Sequence, residues 1–500
     1  MTISRRTFAH AAVGAALSGA LTGRYYAQGI AGASSAPAAH APKPRPNVLF
    51  LMSDDMRVEL ASYGSRFDVH SPNIDRLGSQ GVRFDRNYCQ FPLCNPSRAS
   101  LLTGRRPLET RVLGNRTGLR DQHPDWITLP QLFREHGYTT LRSGKIFHGG
   151  LDDHKAWTDF DGETESFHPT QMGRPMDVPR EPIPMPNGVV PPLPHDARAL
   201  HSDQILVLDG NGEGAGDYLV TDRAIQYLRR CRNEPFFIAC GLSKPHSPPT
   251  APERFFNLYD PAKLDLPPDF AAWPTVPAGF PKAAIRPRNA DLFIGRGASG
   301  PEAQQVIRAY LASISWADWN LGRLLAELDT LGLRRNTIVV FVADHGYQLG
   351  EKGKWSKAGS LFEEGTRVPL VIHLPDAAGN GRPCLRIVQS IDLYRTLAEL
   401  CHLDLPSQIH GKSLTPLLND PQAIWDEPAF SIWSEDGETV HGTAVRTPRW
   451  RYAEFGQNAV NGSMLFDMYA DPMQLRNLAA EPASQNVVAG LAPLIAQYIA

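Results

Sequence analysis

Cys94-Asn95-Pro96-Ser97-Arg98 is the stretch whose residue types and spacing point most directly to chemistry. A cysteine ahead of a Pro-Ser step and a short apolar run reads as a loop entering a helix. Asn95 suits the cap of that helix and Pro96 its first position, with Ser97 and Arg98 in the first turn. A side chain at such a start faces unpaired backbone N–H groups and the positive end of the helix dipole, a setting that favours anions. Arg98 adds a permanent positive charge about one helical turn from Cys94. Elsewhere, Asp54 and Asp55 are adjacent carboxylates, and with Asp344 they form a hard-cation site suited to Ca²⁺ or Mg²⁺. His345 follows directly, although an imidazole is a less typical ligand for such an ion. Lys145, Lys244 and Lys357 are candidate partners for an anionic group. His148 and His246 can move a proton near neutral pH.

These residues need a scaffold that gathers them. Residues 47–52 form a compact apolar run suited to a strand buried on both faces. Similar runs lie at 236–239 and 337–343, with a weaker one at 139–141. Between them, 217–230 places Leu219, Ala224, Ile225 and Leu228 near one helical face, and 309–331 does so with Ile314, Leu321, Leu324, Leu325 and Leu328. Strands alternating with helices predict an α/β fold, a large mostly parallel sheet sandwiched by helices. Each strand runs out into polar residues: Asp54-Asp55, Gly144-Lys145 with His148, Lys244-Pro245-His246, and Asp344-His345-Gly346. Open α/β sheets bind ligands beyond the carboxyl ends of their strands, so these four exits predict one shared site. Residues 152–214 are rich in Pro, Gly, His and Asp, and predict a long irregular insertion over it. From Pro428 the pattern changes to short β-like pieces at 429–433 and 443–446, then a last helix over 487–499.

The string from Cys94 to Arg98, continued by Leu101-Leu102-Thr103-Gly104-Arg105, resembles the sulfatase signature C-x-P-S-R followed by x-x-L-L-T-G-R. Asn47-Val48-Leu49, Ser71-Pro72-Asn73-Ile74-Asp75, Thr103-Gly104-Arg105-Arg106-Pro107, Gly144-Lys145-Ile146-Phe147-His148 and Lys244-Pro245-His246 look similar to the iduronate-2-sulfatase branch. The resemblance runs from Pro46 to the C-terminus. It implies an alkaline phosphatase/sulfatase-like catalytic domain over 46–427 and a smaller C-terminal subdomain over 428–500, built on an antiparallel sheet. It further implies that a formylglycine-generating maturation enzyme oxidises Cys94 to an aldehyde, which hydrates to a geminal diol. One hydroxyl attacks sulfur, and the second lets the adduct collapse and release sulfate. The family pattern implies one divalent ion, usually Ca²⁺ rather than Mg²⁺, at Asp54, Asp55, the matured Cys94, Asp344 and His345. It places Lys145 and Lys357 on the sulfate, His148 on the second hydroxyl and His246 near the leaving oxygen as general acid. Arg105, Arg106, Arg111, Arg116 and Arg120 follow the nucleophile and are candidates to grip a sulfated sugar or a uronate carboxylate.

A net charge of −2 offers no global field for nucleic acid. Ser4-Arg5-Arg6-Thr7-Phe8, an Ala/Gly/Leu run to Leu21 and the small residues Ala31-Gly32-Ala33 read as a twin-arginine signal over 1–33. A linker follows over 34–45, and the expected location is periplasmic or secreted. No other segment is apolar for long enough for stable membrane insertion. The six cysteines show no C-x-x-C spacing, which argues against structural zinc, while a Cys384–Cys401 disulfide is permitted in an oxidising compartment. The expected activity is hydrolysis of a sulfate ester on a carbohydrate such as a 2-O-sulfated uronate. Two alternatives are a phosphoester or phosphonate-ester hydrolase of the same superfamily, and an inactive protein that binds sulfated glycans. The sequence leaves the oligomeric state open.

Overall fold

The computed structural model describes residues 45–159, 171–191 and 196–500. The signal at 1–33, the linker up to residue 44 and parts of the 152–214 insertion lie outside the described residues. Residues 45–500 form one compact unit.

The main sheet has seven strands: β1 (Asn47–Asp54), β2 (Val82–Tyr88), β3 (Thr139–Gly144), β4 (Phe236–Pro245), β5 (Thr337–Ala343), β6 (Arg367–His373) and β7 (Pro383–Gln389). Their order is β7-β2-β6-β5-β1-β4-β3, and only β6 runs antiparallel to its neighbours. The mostly parallel α/β expectation is therefore met. All residues of β1 and β5 are buried, because helices cover both faces. Leu49 and Leu51 of β1 join one core with Val220 and Ala224 of α4 (Gly216–Arg230) and Ile314 and Leu321 of α5 (Gly300–Thr330). Val48, Phe50 and Met52 join the opposite core with Leu101 and Leu102 of α2 (Cys94–Thr103), Leu132 of α3 (Leu129–Glu135) and Leu397 of α6 (Asp392–Leu400). The first helix, α1 (Pro72–Gln80), adds Ile74 and Leu77 to the former core. Each such fully buried side chain contributes about 2 kcal/mol, which is why central strands read as continuous apolar runs.

The edge of the sheet differs from the sequence reading. β2 and β7 carry no comparable apolar run, and β2 places Arg83, Asp85 and Arg86 at partly exposed positions among its buried residues, whereas the buried apolar run 368–372 of β6 is a strand not among those predicted. The insertion is not wholly irregular: Arg174–Pro175 and Leu206–Leu208 join Thr250–Pro252 in a small sheet, and Ala197–Ser202 is helical. At the C-terminal end, β8 (Ala429–Trp433), β9 (Gly442–Arg446), β10 (Trp450–Phe455) and β11 (Ser463–Asp467) form an antiparallel meander. The last helix, α7 (Gln485–Ile499), lays Leu491 and Ile495 against Val445, Tyr452 and Leu465 of that sheet.

All six cysteines are free and buried, which corrects the Cys384–Cys401 expectation. Both thiols sit in one apolar core, where they pack as small hydrophobic groups. Among the described residues no helix is long and apolar enough to cross a membrane.

Candidate active site

Four strand ends converge. At the end of β1, Asp55 adopts φ 62°, in the left-handed region, so the chain leaves the sheet abruptly. Its N–H is donated to Asp344 Oδ1 at 3.2 Å, and its carbonyl accepts from Tyr310 Oη at 2.7 Å. The β3 and β4 exits touch through glycine. A Cβ on Gly144 would lie 2.2 Å from Gly241 O, and one on Gly241 only 2.0 Å from Lys145 O. That close approach lets Lys145 N donate to Gly241 O at 2.9 Å and sets Lys145 and His148 beside the loop carrying His246.

The helix that carries the cysteine starts two residues earlier than its cap chemistry predicts. Cys94 is the first residue of α2, and Leu93, not Asn95, is the cap. Pro96 remains within the first turn, where its missing N–H costs nothing. Asn95 spends its side chain on the next loop, with Nδ2 donating to Gly114 O and Thr117 O, each at 2.8 Å. Ser97 Oγ donates to Asp344 O at 2.5 Å and ties the helix to the β5 exit.

Around Cys94 the charges alternate. Its Sγ donates to Asp54 Oδ1 at 3.4 Å and lies 3.2 Å from His345 Nε2. Arg98 is fully buried; Nε donates to Asp344 Oδ2 at 2.9 Å, Nη2 lies 3.3 Å from Asp54 Oδ1, and Nη1 donates to the carbonyls of Lys145 and Ile146. Lys145 Nζ pairs with Asp54 Oδ2. Lys357 Nζ sits between Asp55 Oδ2 at 2.9 Å and Asp291 Oδ1 at 3.0 Å. His345 Nδ1 donates to Gly346 O at 3.0 Å, so Nε2 is the atom that faces Cys94, Asp344 Oδ2 at 3.4 Å and Asp55 Oδ1 at 3.5 Å. His246 Nδ1 donates to Ser247 O at 2.7 Å, leaving Nε2 directed at Asp55 Oδ2, 3.9 Å away.

The electrostatics follow from this packing. Burial favours a neutral Asp54, but Lys145 and Arg98 outweigh it and hold its carboxyl well below the usual range. Burial pushes Asp344 up to about 6 despite Arg98. For His345, burial opposes the charged form, yet Asp344, Cys94 and Asp55 prevail and raise it to about 10. His148 is pushed down to about 4 by burial, with Lys145 and Arg98 adding to the effect, and His246 is lowered mainly by burial. Both of these histidines therefore favour the neutral form in the protein alone.

Asp54, Cys94, Asp344 and His345 present ligand atoms within 4.8 Å of one another, as do Asp54, Asp55, Cys94 and His246. Asp55 Oδ1 is buried and accepts no hydrogen bond among the described residues. An acceptor buried without a donor is costly, and a cation would satisfy it. Oxygen donors with one imidazole fit a hard divalent ion. A cavity of about 560 Å³ opens beside this cluster, lined by Lys145, His148, Asp217, Ser243 and His246.

A profile of the sulfatase family matches residues 46–403. The chain belongs to the sulfatase family. A second profile, that of the C-terminal region of N-sulphoglucosamine sulphohydrolase, matches residues 350–499. Human iduronate 2-sulfatase is 34% identical over 400 residues, covering 72% of this chain and 70% of the relative. The choline-sulfatase of Rhizobium meliloti is 28% identical over 448 residues, covering 88% and 83%. The phosphonate monoester hydrolase of Silicibacter pomeroyi superposes with a TM-score of 0.69 at 23% identity, over 91% of this chain and 95% of that one. A protein solved with its substrate D-glucosamine-2-N,6-O-disulfate gives the same TM-score and identity, over 91% and 97%. These two structures share the fold.

Not every residue of the sequence reading meets the cluster. Arg105 donates to Ser407 O at 2.8 Å and stacks 4.0 Å from the Trp126 ring, Arg106 lies over Tyr498, and Arg120 pairs with Asp153. These three arginines are committed to the fold, while Arg111 and Arg116 are exposed. Lys244 Nζ donates to the carbonyls of His246 and Pro248. Conversely, Asp291, Tyr310 and Asp217 hold site elements in place, and no local motif marks them.

Proposed function

We propose that this member of the family hydrolyses a sulfate ester on a carbohydrate, a 2-O-sulfated uronate being the leading substrate class, with a nucleophile made from Cys94. The observation that carries this reading is the meeting at the start of α2 of Cys94 with Asp54 and His345, ringed by Arg98, Lys145 and Lys357. Iduronate 2-sulfatase among the relatives supports the substrate class. Matured to formylglycine, residue 94 would supply a hydrated aldehyde, a nucleophile with its own route to release sulfate. Asp54, Asp55, Asp344, His345 and residue 94 would hold a Ca²⁺ ion, which when bound offsets negative charge on sulfate oxygens.

The chain's own side chains divide the remaining work. Lys145 and Lys357 bind sulfate oxygens, and Asp291 holds Lys357 from behind. Arg98 is spread over Asp54, Asp344 and two carbonyls, so it fixes the carboxylates. His148 Nδ1 is buried without a partner among the described residues, and the neutral ring can take a proton from residue 94 during release. His246 presents Nε2 to the cavity, where an anionic ester favours its protonated form and a proton can pass to the leaving oxygen. Export through the signal at 1–33 belongs to the same reading.

The test begins with the mass of the peptide containing residue 94, from protein co-expressed with a formylglycine-generating enzyme. Conversion of thiol to aldehyde, and a higher kcat/KM for a sulfate ester than for its phosphate and phosphonate counterparts, are expected. An unconverted cysteine beside a converted control sulfatase, or a phosphate preference, overturns the proposal. Binding of sulfated oligosaccharide without turnover by verified aldehyde protein would establish a binding protein instead.

A further inference from the structure

The loop that carries His246 is held by an unusual set of anchors. Asp217, 2% exposed in the first turn of α4, accepts from Ser243 N at 2.9 Å and Ser243 Oγ at 2.8 Å through Oδ1, and from Lys244 N at 2.9 Å through Oδ2. Ser53 Oγ, at the end of β1, donates to Lys244 O at 2.5 Å. Lys244 then turns its ammonium back into its own loop, donating to His246 O at 2.8 Å and Pro248 O at 2.9 Å. The loop has two prolines, Pro245 and Pro248, so it is short of backbone donors, and the lysine supplies bonds to two of its carbonyls. The His246 ring is oriented in turn by Nδ1 donating to Ser247 O at 2.7 Å.

We propose that Lys244, seated by Asp217, is a positioning residue that aims His246 Nε2 into the cavity, and is not a ligand of the ester's anionic group. The inference rests on the reading of His246 as proton donor to the leaving oxygen. It turns on where the ammonium goes: Nζ donates to two carbonyls of its own loop, those of His246 and Pro248. Losing those bonds frees the loop segment that carries the imidazole, and a displacement of about 1 Å in a reacting group costs on the order of 100-fold in rate.

The leaving group separates this role from the alternatives. A sugar alkoxide needs a proton as it departs, whereas 4-nitrophenolate does not. With matured enzyme, Lys244→Met should lower kcat on a sulfated sugar by on the order of 100-fold, with KM within about 3-fold, while 4-nitrophenyl sulfate turnover stays within about 3-fold of wild type. Adding Lys244→Met to His246→Ala should cause no further loss on the sugar ester, because the two act as one unit. Asp217→Asn, which keeps one acceptor oxygen, should show the same selectivity at smaller amplitude, about 10-fold. A KM raised equally for both esters makes Lys244 an anion ligand and overturns the proposal. Equal loss of kcat on both esters in Lys244→Met and Asp217→Asn shows a general structural role and also overturns it. A wild-type enzyme that turns over neither ester removes the proposed reaction itself, and the positioning role with it.

Discussion

Glu363 joins the C-terminal sheet to β2 of the main sheet, and its replacement by Gln gives a stability change that can be worked from the structure. Its Oε1 accepts from Arg446 Nε at 2.8 Å and Arg451 Nη1 at 3.1 Å, and its Oε2 from Tyr88 Oη at 3.0 Å. The side chain is 11% exposed. Burial acts to raise this carboxyl, but Arg446, Arg451 and Arg367 overcome it and bring it from an ordinary 4.5 to about 2. A difference of about 2.5 pH units at 1.36 kcal/mol each makes ionised Glu363 worth about 3 kcal/mol to the folded state. Because the folded value is the lower one, this stability is present above pH 4.5 and is lost as the pH falls toward 2. Glu363→Gln keeps the shape but removes the charge, leaving Arg451, 2% exposed, without its carboxylate. Urea unfolding should show the variant about 3 kcal/mol less stable at neutral pH, with the gap narrowing steadily as both proteins are acidified from pH 4.5. A gap that is equal at neutral and acid pH, or one below about 0.5 kcal/mol at neutral pH, refutes the argument. The adjacent carbonyls of Glu364 and Gly365 accept from Tyr347 N at 2.7 Å and Gly346 N at 3.0 Å, so loosening here should also reach the Asp344-His345 turn.

Three further outcomes are expected. Cys94→Ser can accept sulfate but has no second hydroxyl, so multiple turnover should cease and intact-mass analysis should reveal a sulfated protein; full steady-state activity in this variant sinks the formylglycine reading. Asp54→Ala should abolish calorimetrically detected Ca²⁺ binding and lower kcat by at least about 100-fold; a wild-type rate unaffected by exhaustive chelation counts against a catalytic ion. Gly241→Ala would place a methyl carbon 2.0 Å from Lys145 O, forcing the β3 and β4 exits apart. Its melting temperature and its affinity for inorganic sulfate should both drop, and an unchanged protein would show that the contact relaxes without cost.

The central strands were open to sequence reading because both of their faces are covered. β5 occupies the same residues that its apolar run predicts, and β1 extends the predicted run by two residues. β2 and β7 were not, since they mix exposed polar positions with buried ones and lose the continuous signal; β6 is buried over 368–372, but Pro369 within that run argues against an interior strand. Helix α5 begins nine residues before its periodic stretch, at Gly300, with Ser299 accepting from Glu302 N as its cap. The cap of α2 shows the opposite limit. Asn95 has the right chemistry to cap, but the loop at Gly114–Thr117 offers its amide two acceptors, and tertiary contacts outweigh a local preference.

By itself, the sequence determined the family, the α/β class and the residue types available at each strand exit, because those are written in short contiguous motifs. Only the tertiary structure decided how the side chains divide their labour. Lys145 and Lys244 look alike in the sequence, yet one pairs with Asp54 and the other bonds two carbonyls of its own loop. Lys357 finds Asp291, Asp55 finds Tyr310, and Ser243 finds Asp217, from segments 26 to 255 residues apart. The physical reason is that a hydrogen bond or ion pair depends on distances of about 3 Å, which chain spacing specifies only within a single turn or hairpin.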